Sequence, residues 1–198
     1  MIKGENRALN SIYKSVNEQY SMASKKPCIF LSHRSLDKIM VEKIGKYIMD
    51  AGFDIYLDKY DEELQKADEL GNDKKVTECI QKGLEGCTHV LCLISPTTVG
   101  SWWVPYEIGY GEKSKKEIVS LQLKSIPDKN IPAYIRIRTC LGGINALNDY
   151  LQKSISKHTG SIAKSFSAWN KDEYYQSSEA SIIQESSIWH PLKDYLNQ

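Results

Sequence analysis

The chain contains 198 residues, enough for one domain with a well-formed core and extensions, or for two small domains at most. Its hydrophobic content of 41% and charged content of 26% are ordinary for a soluble globular protein, and a net charge of +1 gives no electrostatic reason to expect nucleic-acid binding. The polar N-terminus does not resemble a signal peptide and no apolar segment approaches membrane-spanning length, so we expect a cytoplasmic protein without membrane contacts.

The spacing of cysteine and histidine residues argues against a metal site. The five cysteines show no CxxC spacing, and the four histidines are scattered without the spacing of metal ligands. The cysteines are typical of reduced, buried thiols in a cytosolic protein. We therefore expect no bound metal.

The chain divides into a central domain and two extensions. An amphipathic pattern predicts a helix over 4–22, so residues 1–25 form an N-terminal helical extension of a domain at 26–156. Residues 157–198 form a C-terminal extension, which starts as a polar surface excursion. It ends in a short helix near 188–196, which we expect to pack back on the domain.

The first part of the central domain predicts a βαβ unit. The apolar segment at 28–32 does not alternate, which indicates a strand buried on both faces. A turn of His33, Arg34 and Ser35 follows, and Ser35 can cap a helix that ends near Gly52. A second strand is predicted at 53–58.

A charged segment comes next. Residues 59–75 lack apolar periodicity and contain Gly71-Asn-Asp, so we predict a long exposed loop, in which a helical turn can occur. Apolar residues from Val76 to Cys87 then predict a helix, and 89–94 a third, buried strand.

The stretch at 95–110 carries the strongest functional signal. A loop leads into a helix that begins near Ser101 or Trp102, because Pro105 is tolerated only in the first helical turn. Trp103 and Glu107 share one helical face just past the carboxyl end of a strand, where open α/β sheets bind ligands. An aromatic ring beside a carboxylate suits a ligand with a flat ring and a sugar. The alternative is that the tryptophans belong to the core and Glu107 is solvated.

The remaining elements complete a sheet. A fourth strand is predicted at 118–123, and an alternating, more exposed strand near the sheet edge at 134–138. Gly142-Gly143 opens a further helix. The alternation of strands and helices predicts an α/β fold with a parallel sheet of about five strands and helices on both faces.

Four of these segments together resemble TIR (Toll/interleukin-1 receptor-like) domains. Cys28-Ile-Phe-Leu-Ser-His-Arg-Ser35 is similar to their first strand and loop, and Gly52-Phe-Asp-Ile-Tyr-Leu-Asp58 to their second strand, after which the variable BB loop follows. Val90-Leu-Cys-Leu-Ile-Ser95 and Ser101-Trp-Trp-Val-Pro-Tyr-Glu107 resemble the third strand and the S-x-W-x-x-x-E element. The resemblance covers about residues 26–156 and implies a flavodoxin-like fold of three layers. Its nearest kind is the bacterial type, such as the TIR subunits of Thoeris anti-phage systems.

The resemblance implies an activity as well as a fold. Enzymatic TIR domains cleave NAD+, as substrate and not as cofactor, between nicotinamide and ribose. The other product is ADP-ribose or a cyclic isomer, and in defence systems a separate effector protein reads the cyclic signal. Glu107 matches the catalytic glutamate, and homo-oligomers form through TIR–TIR contacts. The residues implied to bind the nucleotide are Ser32, His33, Arg34, Ser35, Asp58 and Trp103, and Ser95 is a further candidate that lines the site or forms the turn.

This chemistry agrees with the residues present. Cationic nicotinamide is a good leaving group, so one ionised carboxylate that faces an oxocarbenium-like transition state supplies much of the stabilisation. Arg34 is suited to pair with the pyrophosphate. Pro105 between Trp103 and Glu107 departs from the usual pattern, and we expect it to alter the local backbone.

Two other functions fit the same sequence. Many TIR domains are non-catalytic adaptors or scaffolds that act by self-association. A nucleoside deoxyribosyltransferase-like enzyme shares the α/β plan and a carboxylate nucleophile. Loss of NAD+ turnover in a folded Glu107 variant would support the NAD+-cleaving enzyme over the scaffold. Base exchange on deoxynucleosides without NAD+ would identify the deoxyribosyltransferase-like enzyme.

Overall fold

The computed structural model describes residues 3–9, 26–124, 126–165 and 190–197. Its strands are β1 Cys28–Ser32, β2 Asp54–Tyr56, β3 His89–Ile94, β4 Glu117–Gln122 and β5 Thr139–Leu141. Its described helices are α1 Lys38–Asp50, α2 Glu62–Glu69, α3 Asp73–Glu85, α4 Trp103–Lys113, α5 Ala133–Arg136 and α6 Ile144–Ser165. The strands form one parallel sheet in the order β2-β1-β3-β4-β5. This order is the flavodoxin-like one, so the predicted fold class is confirmed.

Helices cover both faces of the sheet and give the molecule three layers. On one face, α1 and α6 bury apolar side chains such as Ile44 and Leu147 against the sheet. On the other, α3 and α4 do the same through Leu84 and Ile108. Because successive β1 side chains enter opposite layers, all five residues of that strand are buried, which explains its unbroken apolar sequence.

The prediction of a long exposed loop at 59–75 is wrong, because most of this segment is helical. The carboxylate of Asp61 accepts hydrogen bonds from the backbone N–H groups of Glu63 and Leu64, and thereby caps α2. Gly71 ends that helix with a φ of +62°, and the side chain of Asn72 caps α3. The residues that indicated a loop are therefore the caps between two consecutive helices.

The predicted strand at 134–138 is also wrong, since this segment forms α5 and the edge strand is β5. Pro132 precedes the helix, a position where proline is well tolerated. Ile135 is 1% exposed and Ile137 is 80% exposed, whereas in a strand the two would lie on one face. Five alternating residues are too few to distinguish one helical turn from a strand.

The described part of the N-terminal segment runs along the β2 edge of the sheet and then forms a short 3-10 helix, Arg7–Leu9. Asn6 pairs with Ile55 in a parallel bridge, and the guanidinium of Arg7 binds the carboxylate of Asp54. A Cβ atom at Gly4 would lie 1.6 Å from the carbonyl oxygen of Phe53, so only glycine fits there. Residues 10–25, which hold most of the predicted helix, lie outside the described residues.

The described C-terminal segment, 190–197, contacts the core. Leu192 and Leu196 are buried in the same layer as α1 and α6, and the carbonyl of Asn197 accepts a hydrogen bond from the first residue of α6. The segment forms turns instead of a regular helix, and 166–189 lie outside the described residues. Because α6 runs through the predicted boundary at 156, the division into a domain and two extensions stays a prediction. None of the described helices is long and apolar enough to cross a membrane.

Candidate active site

The site lies at the carboxyl ends of β1 and β3, the adjacent central strands of the sheet. The chain leaves β1 towards α1 in one layer and leaves β3 towards α4 in the opposite layer. Two loops that diverge in this way leave a crevice between them, and such switch points bind ligands in open α/β sheets. The loops are the β1–α1 loop, residues 33–37, and the β3–α4 loop, residues 95–102.

A buried carboxyl group occupies this crevice. Ser32 is the last residue of β1, and its hydroxyl donates a hydrogen bond of 2.6 Å to Oε2 of Glu107. Ser32 is fully buried, and Glu107 is only 3% exposed. Pro105 lies in the first turn of α4 and leaves the helix continuous, so it does not displace Glu107, which faces the sheet from the next turn. The interpretation of Glu107 as a solvated helix residue is therefore wrong.

Burial changes the acidity of this carboxyl group. Burial raises the pKa of Glu107, the hydrogen bond from Ser32 lowers it, and the nearby charge of Asp58 raises it by a smaller amount; together they bring it to about 8. The thiol of Cys92, which pairs with Ser32 in the β1–β3 register, also has a raised pKa, through burial and then the charge of Glu107. Strongly shifted acids in a crevice are typical of functional sites.

His33 and Asp58 lie beside this carboxyl group, on the β2 side. Nδ1 of His33 is 2.9 Å from the carbonyl oxygen of Leu31, and because a carbonyl only accepts, Nδ1 carries the proton. Nε2 then faces Asp58, with 3.8 Å between it and Oδ1. Asp58 keeps a side chain that is 31% exposed, so this part of the site reaches solvent.

Arg34 and Ser95 connect the two loops. Nη1 of Arg34 donates a 2.8 Å hydrogen bond to the carbonyl of Thr97, and the hydroxyl of Ser95 donates one of 2.6 Å to the carboxylate of Asp37. Ser35 is exposed and begins a short 3-10 turn, Ser35–Asp37, so it does not cap α1 as expected. Whether these side chains bind a nucleotide stays a prediction.

The comparison with known proteins agrees with this geometry. The TIR domain family matches residues 29–150, which is more than half of the chain. The chain belongs to the TIR domain family. It is also 26% identical over 143 residues to a probable 3′ cyclic ADP-D-ribose synthase, ThsB′, of Bacillus cereus (strain MSX-D12). That alignment covers 63% of this chain and 73% of the relative.

The two tryptophans of this TIR domain are on its surface, so their assignment to the core is wrong. Trp102 is 92% exposed and Trp103 is 42% exposed. The ring of Trp103 packs edge-on against Tyr106, with 5.9 Å between centroids, and the hydroxyl of Tyr106 accepts a hydrogen bond from Gln81. An aromatic wall beside the carboxylate therefore stays a prediction for Trp103.

Sequence reasoning missed the residues that join the two loops of the TIR domain. Asp37, Thr97 and Thr98 all belong to the polar network at the crevice. The signal was present, since polar side chains follow the carboxyl ends of two strands that are neighbours in this fold. Among the described residues, no group of three or more His, Cys, Asp or Glu side chains is placed to hold a metal ion.

Proposed function

We propose that this TIR protein is an NAD+ nucleosidase that breaks the nicotinamide–ribose bond and closes the remaining ADP-ribose into a cyclic isomer, a signal in anti-phage defence. One observation carries the proposal: the Glu107 carboxyl is buried at the switch point and held by the hydroxyl of Ser32. Family membership supports it, and so does the name of the Bacillus cereus relative, a cyclic ADP-ribose synthase.

The reaction assigns a charge-stabilising role to Glu107. The bond between the ribose anomeric carbon and the nicotinamide nitrogen breaks, and its electrons neutralise the cationic ring. The carboxylate of Glu107 then faces the positive charge that develops on the ribose. A cationic nicotinamide ring nearby favours the ionised carboxylate, so substrate binding lowers the pKa that burial has raised.

Cyclisation follows when an atom of the ADP-ribose itself attacks the anomeric carbon and loses its proton. A water molecule at the same position would give linear ADP-ribose, so the outcome depends on which nucleophile is held close to that carbon. The name of the Bacillus cereus relative, a probable 3′ cyclic ADP-D-ribose synthase, supports the cyclic product.

The remaining predicted site residues are assigned to the nucleotide. Arg34 is suited to the pyrophosphate, because its guanidinium keeps donors free of the bond to Thr97. His33 and Asp58 form the polar side of the site, and Trp103 offers a face for an aromatic ring. We assign no cofactor, since NAD+ is consumed, and we place the protein in the cytoplasm, where a separate effector reads the product.

The test is NAD+ turnover followed by chromatography with mass detection, at low and high protein concentration. We compare the wild type with Glu107→Gln and with Glu112→Gln as a matched control. Glu112 lies on the same helix, but its side chain is 60% exposed and paired with Arg138. We expect Glu107→Gln to lose about a hundredfold or more in turnover, and Glu112→Gln to stay within a factor of two of the wild type.

Each outcome has a definite meaning. Nicotinamide release with a product isobaric with cyclic ADP-ribose supports a signalling cyclase, and linear ADP-ribose identifies a glycohydrolase instead. Unchanged turnover in folded Glu107→Gln overturns the assigned site. No turnover by the wild type at either concentration favours the scaffold, and base exchange on deoxynucleosides identifies the transferase.

A further inference from the structure

A single carboxylate joins the two loops that form the crevice. Asp37, in the β1–α1 loop, accepts hydrogen bonds at Oδ2 from the hydroxyl of Ser95 at 2.6 Å and from the hydroxyl of Thr97 at 2.7 Å. Both hydroxyls belong to the β3–α4 loop. We call these two bonds the Asp37 clasp. Such bonds to a carboxylate are shorter and stronger than bonds between neutral groups.

The protons of the network have one consistent assignment. A carboxylate only accepts, so Ser95 and Thr97 each donate their single hydroxyl proton to Asp37. Thr98 donates its proton to the carbonyl of Leu93 at 3.0 Å, which also only accepts. Ser95 then accepts from the backbone N–H groups of Thr97 and Thr98. The hydroxyl protons of Ser95 and Thr97 are therefore both used by Asp37, and that of Thr98 by Leu93, so Ser95 has no hydroxyl proton left to donate to a substrate.

The clasp is continuous with the start of α4. The carbonyl of Thr98 accepts a hydrogen bond from the backbone N–H of Ser101, and the hydroxyl of Ser101 accepts one from Val104 in the first turn of the helix. Glu107 lies one turn further along. Arg34 adds a second link between the loops through the carbonyl of Thr97. These bonds connect Asp37 to the start of α4, which also packs on the sheet through Val104 and Ile108.

The contact between Ser32 and Glu107 depends on the position of α4 relative to β1, because the two residues belong to different elements. Ser32 is fixed at the end of β1, five residues before Asp37, whereas Glu107 is fixed on α4. Their 2.6 Å hydrogen bond therefore requires β1 and α4 to keep their present separation. An error of about 1 Å in such a geometry can cost about a hundredfold in rate.

We propose that Asp37 is a positioning residue for catalysis: its carboxylate clasps Ser95 and Thr97 and thereby holds α4 where Glu107 meets Ser32. The proposal rests on the NAD+ nucleosidase function proposed above, and it assigns Asp37 no contact with substrate. It also assigns Ser95 to the clasp and not to the nucleotide.

Loss of the clasp has two consequences that a merely structural residue would not produce together. The turnover number falls while KM changes little, because the displaced group acts in the transition state. The bond from Ser32 to Glu107 also weakens, so the pKa of Glu107 rises. The other titratable groups near Glu107 are Asp58 and Cys92. His33 lies 3.8 Å from Asp58, and none of these three residues belongs to the clasp.

The experiment compares steady-state NAD+ turnover in Asp37→Ala, Asp37→Asn and Asp50→Ala. Asp50 lies at the opposite end of α1, where it pairs with Lys3 and Lys46, and serves as the matched control. We expect Asp37→Ala to lose about tenfold to a hundredfold in kcat with KM within about threefold. Asp37→Asn keeps an accepting oxygen and should recover most of that loss, and Asp50→Ala should match the wild type.

A second measurement does not depend on activity. Infrared difference spectra between each protein and its Glu107→Gln counterpart follow the ionisation of that carboxyl against pH. A midpoint that is higher in Asp37→Ala than in the wild type supports the clasp, and an unchanged midpoint overturns it. This holds even if the wild type does not turn over NAD+, a result that would refute the proposed function alone. If Asp37→Ala does not fold, the double variant Ser95→Ala, Thr97→Val removes the clasp from its other side.

Discussion

At the scale of single residues, the proposed reaction needs Glu107 in its ionised form, and that form destabilises the folded protein. A buried carboxyl resists ionisation, and its pKa of about 8 lies above the ordinary value of 4.5. The folded protein therefore holds this proton more tightly than the unfolded chain does. Well below pH 4.5 both states are protonated, so the group makes stability neither rise nor fall with pH. Between 4.5 and 8 the unfolded chain ionises first, so stability falls as pH rises, and above 8 the cost is constant.

This linkage predicts that Glu107→Gln stabilises the protein in alkaline solution. Glutamine cannot ionise, so the variant escapes a penalty on the order of a few kcal/mol above pH 8. Urea unfolding of both proteins at pH 4.5 and at pH 8.5 measures it, with Glu112→Gln as the control. We expect the stability gain of Glu107→Gln to be larger at pH 8.5 than at pH 4.5. Equal gains at the two pH values would show that burial does not perturb this carboxyl.

At the scale of elements, α2 shows how one buried side chain converts a charged segment into structure. Asp61 is fully buried, and it accepts a hydrogen bond from the hydroxyl of Tyr56 as well as from the first N–H groups of α2. The apolar side of the helix consists of Leu64 and Ala67, both buried. Because α2 comes shortly after Asp58 in the chain, a stable α2 helps to fix the position of Asp58 at the candidate site.

We predict that Asp61→Ala costs about 2–4 kcal/mol of unfolding free energy, from the lost cap and from a buried tyrosine hydroxyl left without its acceptor. Asn72→Ala is the control, because Asn72 caps α3 through one exposed hydrogen bond and should cost about 1 kcal/mol. Chemical unfolding measures both, and amide exchange over 62–69 locates the effect of the first. If the two variants cost the same, the contact with Tyr56 contributes nothing.

The same elements show what sequence can and cannot specify. The strands that became β1, β3 and β4 were predictable, because long apolar segments between turn residues have few alternatives. Segments 59–75 and 134–138 were not, since a cap depends on a partner as distant as Tyr56 and a short alternating pattern fits one helical turn. In the site, the carboxyl-end rule pointed to Glu107, and the resemblance to TIR domains pointed to Ser32; their direct contact appears only in the structure. Neither could reveal the clasp, because Asp37 and Ser95 are 58 positions apart in the sequence and nothing in it indicates that they touch.

At the scale of the whole molecule, apolar side chains are exposed around the crevice. Leu36 in the β1–α1 loop is 70% exposed, Ile39 at the start of α1 is 73% exposed, and Trp102 in the β3–α4 loop is 92% exposed. These three side chains lie at the carboxyl ends of the strands, as Glu107 does. Exposed apolar groups beside a polar site favour contact with another protein surface. TIR domains self-associate, and we infer that this surface contacts a second copy of the chain, which completes the site.

We predict that NAD+ turnover per milligram of protein rises with protein concentration, because association supplies what one copy lacks. Trp102→Ser should reduce that rise, since it removes an exposed apolar side chain from the contact. Ile137→Ser is the control, because Ile137 is 80% exposed but follows α5, next to the sheet edge at β5. Nicotinamide release and light scattering over the same dilution series measure activity and association together. Turnover per milligram that stays constant while scattering reports a change from monomer to oligomer would refute a shared site and assign the whole reaction to one copy.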